Sequence, residues 1–160
     1  MLFRSFPMTV ERAYDELLFH GPLLHGITQI EGINEDGMVA TLLPSSPQRC
    51  LAGAGPGSWI VDPVLLDSGF QLALLWARIR LDTTPLPARI RRYCRFAALP
   101  DGPVQCDLRA RVRTGGHILD TQLSFLDARG RLLVSIEGME FAVSRSLNRL
   151  ASAVSGGEGR

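Results

Sequence analysis

One segment of the chain, residues 62–79, carries apolar side chains on nearly every side of a predicted helix. It reads DPVLLDSGFQLALLWARI. Asp62 suits the N-cap of this helix, and Pro63 suits its first turn, where proline is favoured. A helix that is apolar all round is buried in a core. The rest of the chain is therefore expected to wrap around this helix.

Segments with the composition of β-strands lie on both sides of this helix. Two precede it and four follow it, and Pro, Gly, Asn or Asp residues mark the turns between them. We expect an α+β fold in which an antiparallel sheet is wrapped around one long buried helix, with the last four strands in a meander. The predicted strands are 27–33, 38–43, 88–98, 104–114, 117–126 and 131–143.

The length of 160 residues suits one domain with a core of its own. We predict a single domain over residues 1–144, with a helical lead-in over about 8–20 and a long loop over 44–58. The loop is rich in Pro, Gly and Ser, and loops of this length are often functional. Residues 145–160 are expected to form a tail that is disordered at its end.

The composition excludes several classes of function. All 17 basic residues are arginine, so the chain offers no lysine for a Schiff base or a phosphate-binding loop. A formal net charge of +1 gives no basic field for nucleic acid. No apolar stretch reaches the ~20 residues of a membrane-spanning helix. Three widely spaced cysteines without zinc-ligand spacing predict reduced thiols, a cytoplasmic location and no metal site.

Two polar residues interrupt the first half of the apolar helix. Asp67 and Gln71 are four residues apart and so lie on one face, one turn from each other. A carboxyl group withdrawn from water tends to stay protonated, which is what a general acid requires. Gln71 would then orient this carboxyl group. The alternative is that Asp67 faces water near the helix start, with Gln71 merely as its neighbour.

Three motifs resemble those of the dehydratase domains of modular polyketide synthases. DPVLLDSGFQ (residues 62–71) matches the DxxxQ motif in its usual context. FHGPLL (19–24) resembles the YGPxF segment, with His20 in the place of the tyrosine, and LPARI (86–90) resembles LPFxW. The motifs occur in the family's order, and the resemblance covers about residues 10–143. The chain thus resembles the C-terminal hot-dog half of a double hot-dog dehydratase.

This resemblance implies a single hot-dog fold and a reaction. Family members eliminate water from a β-hydroxyacyl thioester carried on the phosphopantetheine of an acyl carrier protein, giving an α,β-unsaturated acyl chain without any further cofactor. By resemblance, Asp67 would be the general acid, Gln71 would hold it, and His20 would approach the leaving hydroxyl. The motifs imply substrate-binding positions at Gly21, Pro22, Leu66, Phe70, Leu86 and Pro87.

The catalytic histidine motif of the family, HxxxGxxxxP, does not occur in this sequence. The base that removes the α-proton would come from an N-terminal hot-dog half or from a second copy of the chain. A lone hot dog also exposes a sheet edge and a helix flank that must be covered, so we expect a dimer with one of these two units. A rearranged site in which His20 is the base is a further alternative. Whether the chain is an enzyme stays open. The other interpretations are a non-catalytic acyl-binding hot-dog module within a synthase and a double-bond isomerase or cyclase relative.

Overall fold

The structure, a computed structural model, describes residues 2–148. Within them, one six-stranded antiparallel sheet surrounds one long helix, which confirms the predicted α+β arrangement. The helices are α1 (Val10–Glu16), α2 (Pro47–Cys50) and α3 (Pro63–Leu81). The strands are β1 (Ile27–Asn34), β2 (Gly37–Leu42), β3 (Thr84–Arg95), β4 (Val104–Val112), β5 (Ile118–Leu126) and β6 (Leu132–Ser144). Short 3-10 turns span Pro22–Leu24 and Arg145–Leu147.

The predicted central helix forms as α3 and extends to Leu81. Asp62 is its N-cap, and the carboxylate accepts hydrogen bonds from the backbone N–H groups of Val64 and Leu65 at 2.9 and 3.1 Å. The helix ends at Asp82, which adopts the left-handed conformation with φ 50° and ψ 46°. The start of the helix could be predicted from the sequence because the cap is a local signal.

The helix lies close to side chains of the sheet at Gly69. A Cβ atom at this position would lie 2.8 Å from Cδ1 of Leu123 and 3.1 Å from Cζ of Phe125. Both of these side chains belong to β5 and are buried in the core. The glycine therefore allows the helix backbone to approach the sheet.

The order of strands in the sheet is β1-β2-β4-β5-β6-β3. Strands β4, β5 and β6 form the expected meander, but the prediction that β3 belongs to it was wrong, because β3 pairs with β6. The physical reason is that β4 has β2 on one side and β5 on the other. No edge of β4 is left for β3, which instead follows α3 to the far side of the sheet.

Strand β3 begins at Thr84, four residues before the predicted start at residue 88. The sequence favoured a turn here because prolines are unfavourable inside sheets. The strand nevertheless includes Pro85 and Pro87, whose register partners on β6 are Val143 and Phe141. Because β3 is an edge strand with only one neighbour, it can hold residues that lack a backbone N–H.

The remaining segments are mostly short. The predicted helical lead-in contains α1, which Thr9 caps by accepting a hydrogen bond from the Arg12 backbone N–H at 3.3 Å. The predicted loop over 44–58 contains the single turn of α2. The predicted tail lies outside the described residues from residue 149 onward. In the part of the chain that the structure describes, no helix has the length and apolar character needed to cross a membrane.

Candidate active site

The structure brings Asp67 and Gln71 together on α3. Nε2 of Gln71 donates a hydrogen bond to Oδ2 of Asp67 at 2.7 Å and another to the backbone carbonyl of Leu24 at 2.8 Å. The side chain of Gln71 is fully buried, whereas that of Asp67 is 27% exposed. The carboxyl group therefore lies at the edge of the core, where Gln71 holds it from the inside and its outer side is partly exposed to solvent.

A tyrosine from α1 completes the support of this pair. Oη of Tyr14 donates to Oε1 of Gln71 at 2.9 Å and accepts from the backbone N–H of Ile27 at 3.0 Å. Burial is the main reason why the pKa of Tyr14 rises to about 12, and the nearby charge of Asp67 adds to the effect. The phenol therefore keeps its proton, and with it its ability to donate, at any physiological pH.

His20 lies beside the carboxyl group. Its Nε2 is 3.5 Å from Oδ2 of Asp67, and its side chain is only 12% exposed. Burial lowers the pKa of His20 below the ordinary value of 6.5, and His25 lowers it further, while Asp67 opposes this shift. The imidazole is therefore neutral near pH 7. Within residues 2–148 its Nδ1 is buried without a hydrogen-bond partner.

The segment that carries His20 is fixed by two aromatic stacks. The ring of Phe19 stacks on His20 with a centroid distance of 4.6 Å. The ring of His25 stacks on Tyr14 at 3.8 Å, and its Nε2 is 2.9 Å from the backbone carbonyl of His20. These contacts connect the HGP segment (residues 20–22) to α1 beside the start of α3.

The lowered pKa of His20 has a consequence for stability. An imidazole that resists protonation in the folded state stabilises the fold fully above its ordinary pKa of 6.5, and this contribution is lost as the pH falls through the lower folded value. When the pH is lowered from about 8 to about 5, we expect the free energy of unfolding to fall less in His20→Gln than in the unchanged chain. Urea unfolding at both pH values measures this difference. Equal losses in the two proteins would contradict the expectation.

The predicted substrate-binding residues lie in two groups. Leu66 and Phe70 are half-buried on the flank of α3 next to Asp67. Phe70 makes an edge-to-face contact with Phe141 at 6.2 Å, and Phe141 is the register partner of Pro87 on β3. Leu86 is half-buried one residue earlier on that strand.

The other group, Gly21 and Pro22, is exposed. It begins the 3-10 turn whose Leu24 carbonyl accepts a hydrogen bond from Gln71.

A cavity of about 510 Å³ lies on the outer face of the sheet, away from the acid. It is lined by five arginines of β3 and β4 and the turn after β4, together with acidic residues. Arg113 donates hydrogen bonds to Asp120 at 2.6 and 2.7 Å and to Glu140 at 2.8 Å, so the charge of this one arginine is compensated. Among the described residues, no group of three His, Cys, Asp or Glu side chains is placed to hold a metal ion.

Two supporting groups, Tyr14 and the Leu24 carbonyl, were not predicted from the sequence. Tyr14 is 57 residues from Gln71 in the sequence, and the only signal for it was an aromatic residue in an amphipathic helix. Such a residue with an apolar body and a polar end commonly seeks a hydrogen-bond partner when it is buried. The identity of that partner depends on the packing of α1 against α3, which the local sequence does not encode.

Comparison with known proteins gives one family. The sequence model of one protein family, the polyketide synthase dehydratase N-terminal domain, matches residues 5–151. That description names the N-terminal domain, whereas the DxxxQ motif favours the C-terminal half. A polyunsaturated fatty acid synthase polypeptide from Thraustochytrium sp. is 29% identical over 141 residues, which cover 85% of this chain and 5% of that protein.

Solved dehydratase domains share the fold. The dehydratase domain from the CurJ module of curacin polyketide synthase has 15% identity and a TM-score of 0.65, with 84% of this chain and 47% of that one covered. The RzxB dehydratase domain from Pseudomonas fluorescens has 17% identity and a TM-score of 0.64, with 88% and 52% covered. These likenesses confirm the predicted hot-dog fold. The chain spans about half the length of these solved chains.

Proposed function

Because the chain belongs to the polyketide synthase dehydratase family, we propose that it is the acid-bearing half of a dehydratase acting on a β-hydroxyacyl thioester. The observation that carries the proposal is the hydrogen bond of 2.7 Å from Gln71 to Asp67 at the open edge of the core. We assign the chain to the C-terminal half because this pair forms the DxxxQ motif. An acyl carrier protein would deliver the substrate on phosphopantetheine in the cytoplasm.

The chemistry assigns one proton to each half of the site. Asp67 gives its proton to the β-hydroxyl, the Cβ–O bond breaks, and water leaves. A general base on the partner half takes the α-proton, and the electrons of that C–H bond form the Cα=Cβ double bond. His20, which is neutral near pH 7 and 3.5 Å from Asp67, would contact the same hydroxyl. The thioester carbonyl makes the α-proton acidic.

The exposed flank of α3 supports a ligand path next to the acid. Leu66 and Phe70 stay half-buried although they are apolar and belong to the central helix. Nearby, Phe19 is 37% exposed and Leu23 is 68% exposed. An acyl chain and a second hot-dog unit would cover these side chains, and the burial of apolar surface would stabilise both.

Strand β3 indicates which second unit fits. It is an edge of the sheet, and its four arginines are exposed. The side chains of Arg91 and Arg92 are 67% and 65% exposed. Ile90, next to them on the strand, is 42% exposed. Two copies that pair along this edge would place arginine beside arginine, and like charges on neighbouring strands repel. We therefore favour a separate hot-dog half with acidic residues on its facing strand over a second copy of this chain.

This preference leads to a salt-dependent result. We expect the chain alone to be monomeric at low salt in sedimentation velocity, with self-association increasing as salt screens the arginines. Arg92→Glu should strengthen self-association at low salt, whereas Arg129→Glu in the exposed β5–β6 turn should not. A wild-type dimer at low salt that dissociates when salt is added would contradict the preference.

The proposed function is tested with a β-hydroxyacyl chain on a carrier protein. The chain is supplied alone and together with a hot-dog half that carries the HxxxGxxxxP motif. Loss of water, detected by mass spectrometry only in the combined sample, supports the proposal. Movement of an existing double bond, seen by NMR, would favour the isomerase alternative. Binding of the acyl chain without any conversion would favour the non-catalytic module and overturn the proposal.

A further inference from the structure

The hydrogen-bond chain behind Asp67 starts at the backbone N–H group of Ile27. The N–H of Ile27 can only donate, so Oη of Tyr14 accepts at 3.0 Å. The phenolic proton of Tyr14 is then directed to Oε1 of Gln71 at 2.9 Å. Tyr14 thus accepts one hydrogen bond and donates one, and the direction of its bond to Gln71 is set by the other neighbours of the amide.

The amide of Gln71 has one orientation that satisfies all its neighbours. With Oε1 facing Tyr14, Nε2 faces two acceptors, the Leu24 carbonyl at 2.8 Å and Oδ2 of Asp67 at 2.7 Å. A flipped amide would place its oxygen against the Leu24 carbonyl oxygen, so two acceptors would meet in a buried place. An unsatisfied buried polar pair of this kind is costly.

We propose that Tyr14 is a positioning residue that, through Gln71, makes Oδ2 of Asp67 an acceptor and leaves Oδ1 to carry the proton delivered to the substrate. This inference rests on the proposed function, because it concerns which oxygen of the acid reacts. It follows from the directions of four hydrogen bonds: from Ile27 to Tyr14, from Tyr14 to Gln71, and from Gln71 to the Leu24 carbonyl and to Asp67.

The second contact of Tyr14 acts on the other side of the site. Its ring supports His25 at a centroid distance of 3.8 Å, and Nε2 of His25 is 2.9 Å from the carbonyl of His20. One side chain thus supports both the acid and the backbone of the neighbouring histidine. The pKa of about 12 keeps the phenol protonated, so the direction of the chain does not change with pH.

The test compares Tyr14→Phe with Tyr93→Phe in the full chain bound to its partner half. These are the two tyrosines of the sequence, and Tyr93 is a half-buried side chain of β3 packed against the core. We expect Tyr14→Phe to lower kcat about tenfold, the effect of one hydrogen bond, with KM changed less than about twofold. Tyr93→Phe should leave both constants unchanged.

A double-mutant cycle separates positioning from a general structural effect. In Gln71→Met the amide is gone, so adding Tyr14→Phe should lower kcat by less than about twofold more. If the fold-changes in kcat of the two single variants multiply fully in the double variant, Tyr14 does not act through Gln71 and the inference is overturned.

The NMR signals of the Gln71 side-chain amide give a readout that does not depend on activity. We expect both amide protons to shift in Tyr14→Phe and neither to shift in Tyr93→Phe. An unchanged amide spectrum in Tyr14→Phe would overturn the role of Tyr14. A wild-type chain that fails to dehydrate the substrate with its partner half would instead overturn the proposed function.

Discussion

Replacing Asp67 with asparagine is expected to lower the dehydration rate by a factor of about 10² to 10⁴, the usual contribution of a general acid. Asparagine has almost the same shape, and its side-chain oxygen can still accept the hydrogen bond that Gln71 donates to Oδ2. The variant therefore loses the transferable proton and keeps the fold. Initial rates on a β-hydroxyacyl carrier protein, with the partner half in excess, measure the effect.

A matched control uses an acid far from the site. Asp101 lies in the exposed turn between β3 and β4, and Asp101→Asn makes the same chemical change there. We expect this variant to keep the full rate, and both variants to keep the thermal midpoint of the unchanged chain. A rate for Asp67→Asn within about threefold of wild type would remove Asp67 from the mechanism.

Replacing Asp62 with alanine is expected to destabilise the fold by about 3 kcal/mol, more than the loss of an ordinary helix cap. The side chain is 2% exposed and accepts four hydrogen bonds. Two come from the backbone of α3, and two come from the N–H and hydroxyl of Ser45 at the start of the long loop. The alanine variant would leave two buried backbone donors of α3 and two half-buried donors of Ser45 without this acceptor.

Urea unfolding of Asp62→Ala and Asp62→Asn measures this effect. Asparagine keeps one oxygen that can cap the helix, so we expect it to lose less than half as much stability as alanine. A loss below about 1 kcal/mol in Asp62→Ala would show that water replaces the four hydrogen bonds without cost. Either result bears directly on the site, because Asp67 lies on the second turn of the helix that Asp62 caps.

The parts of the fold that the sequence predicted are those with short-range signals. The start of α3 follows from Asp62 and Pro63, and the contact between Asp67 and Gln71 follows from a spacing of four residues on a helix. The burial along β4 follows an equally local pattern of alternating residue types, with Leu108 and Ala110 buried and Arg109 and Arg111 exposed.

The parts that the sequence did not predict depend on contacts between distant elements. Nothing in the residues of β3 indicates that it pairs with β6, since its place is decided by which edges of the sheet are already occupied. The same holds for Tyr14, whose bond to Gln71 requires α1 to pack against α3. Long-range placement of this kind is a property of the whole fold, and strand and helix propensities do not contain it.

The position of α1 determines where the N-terminal boundary should be drawn when this domain is excised or transferred into another synthase. A boundary drawn just upstream of the HGP segment would retain the DxxxQ helix and every sheet strand, so the fragment would look intact by sequence motif. It would lack Tyr14, the anchor between Ile27 and Gln71. Exchanges of dehydratase halves between synthases should therefore keep α1 together with the Asp67 that it supports through Gln71.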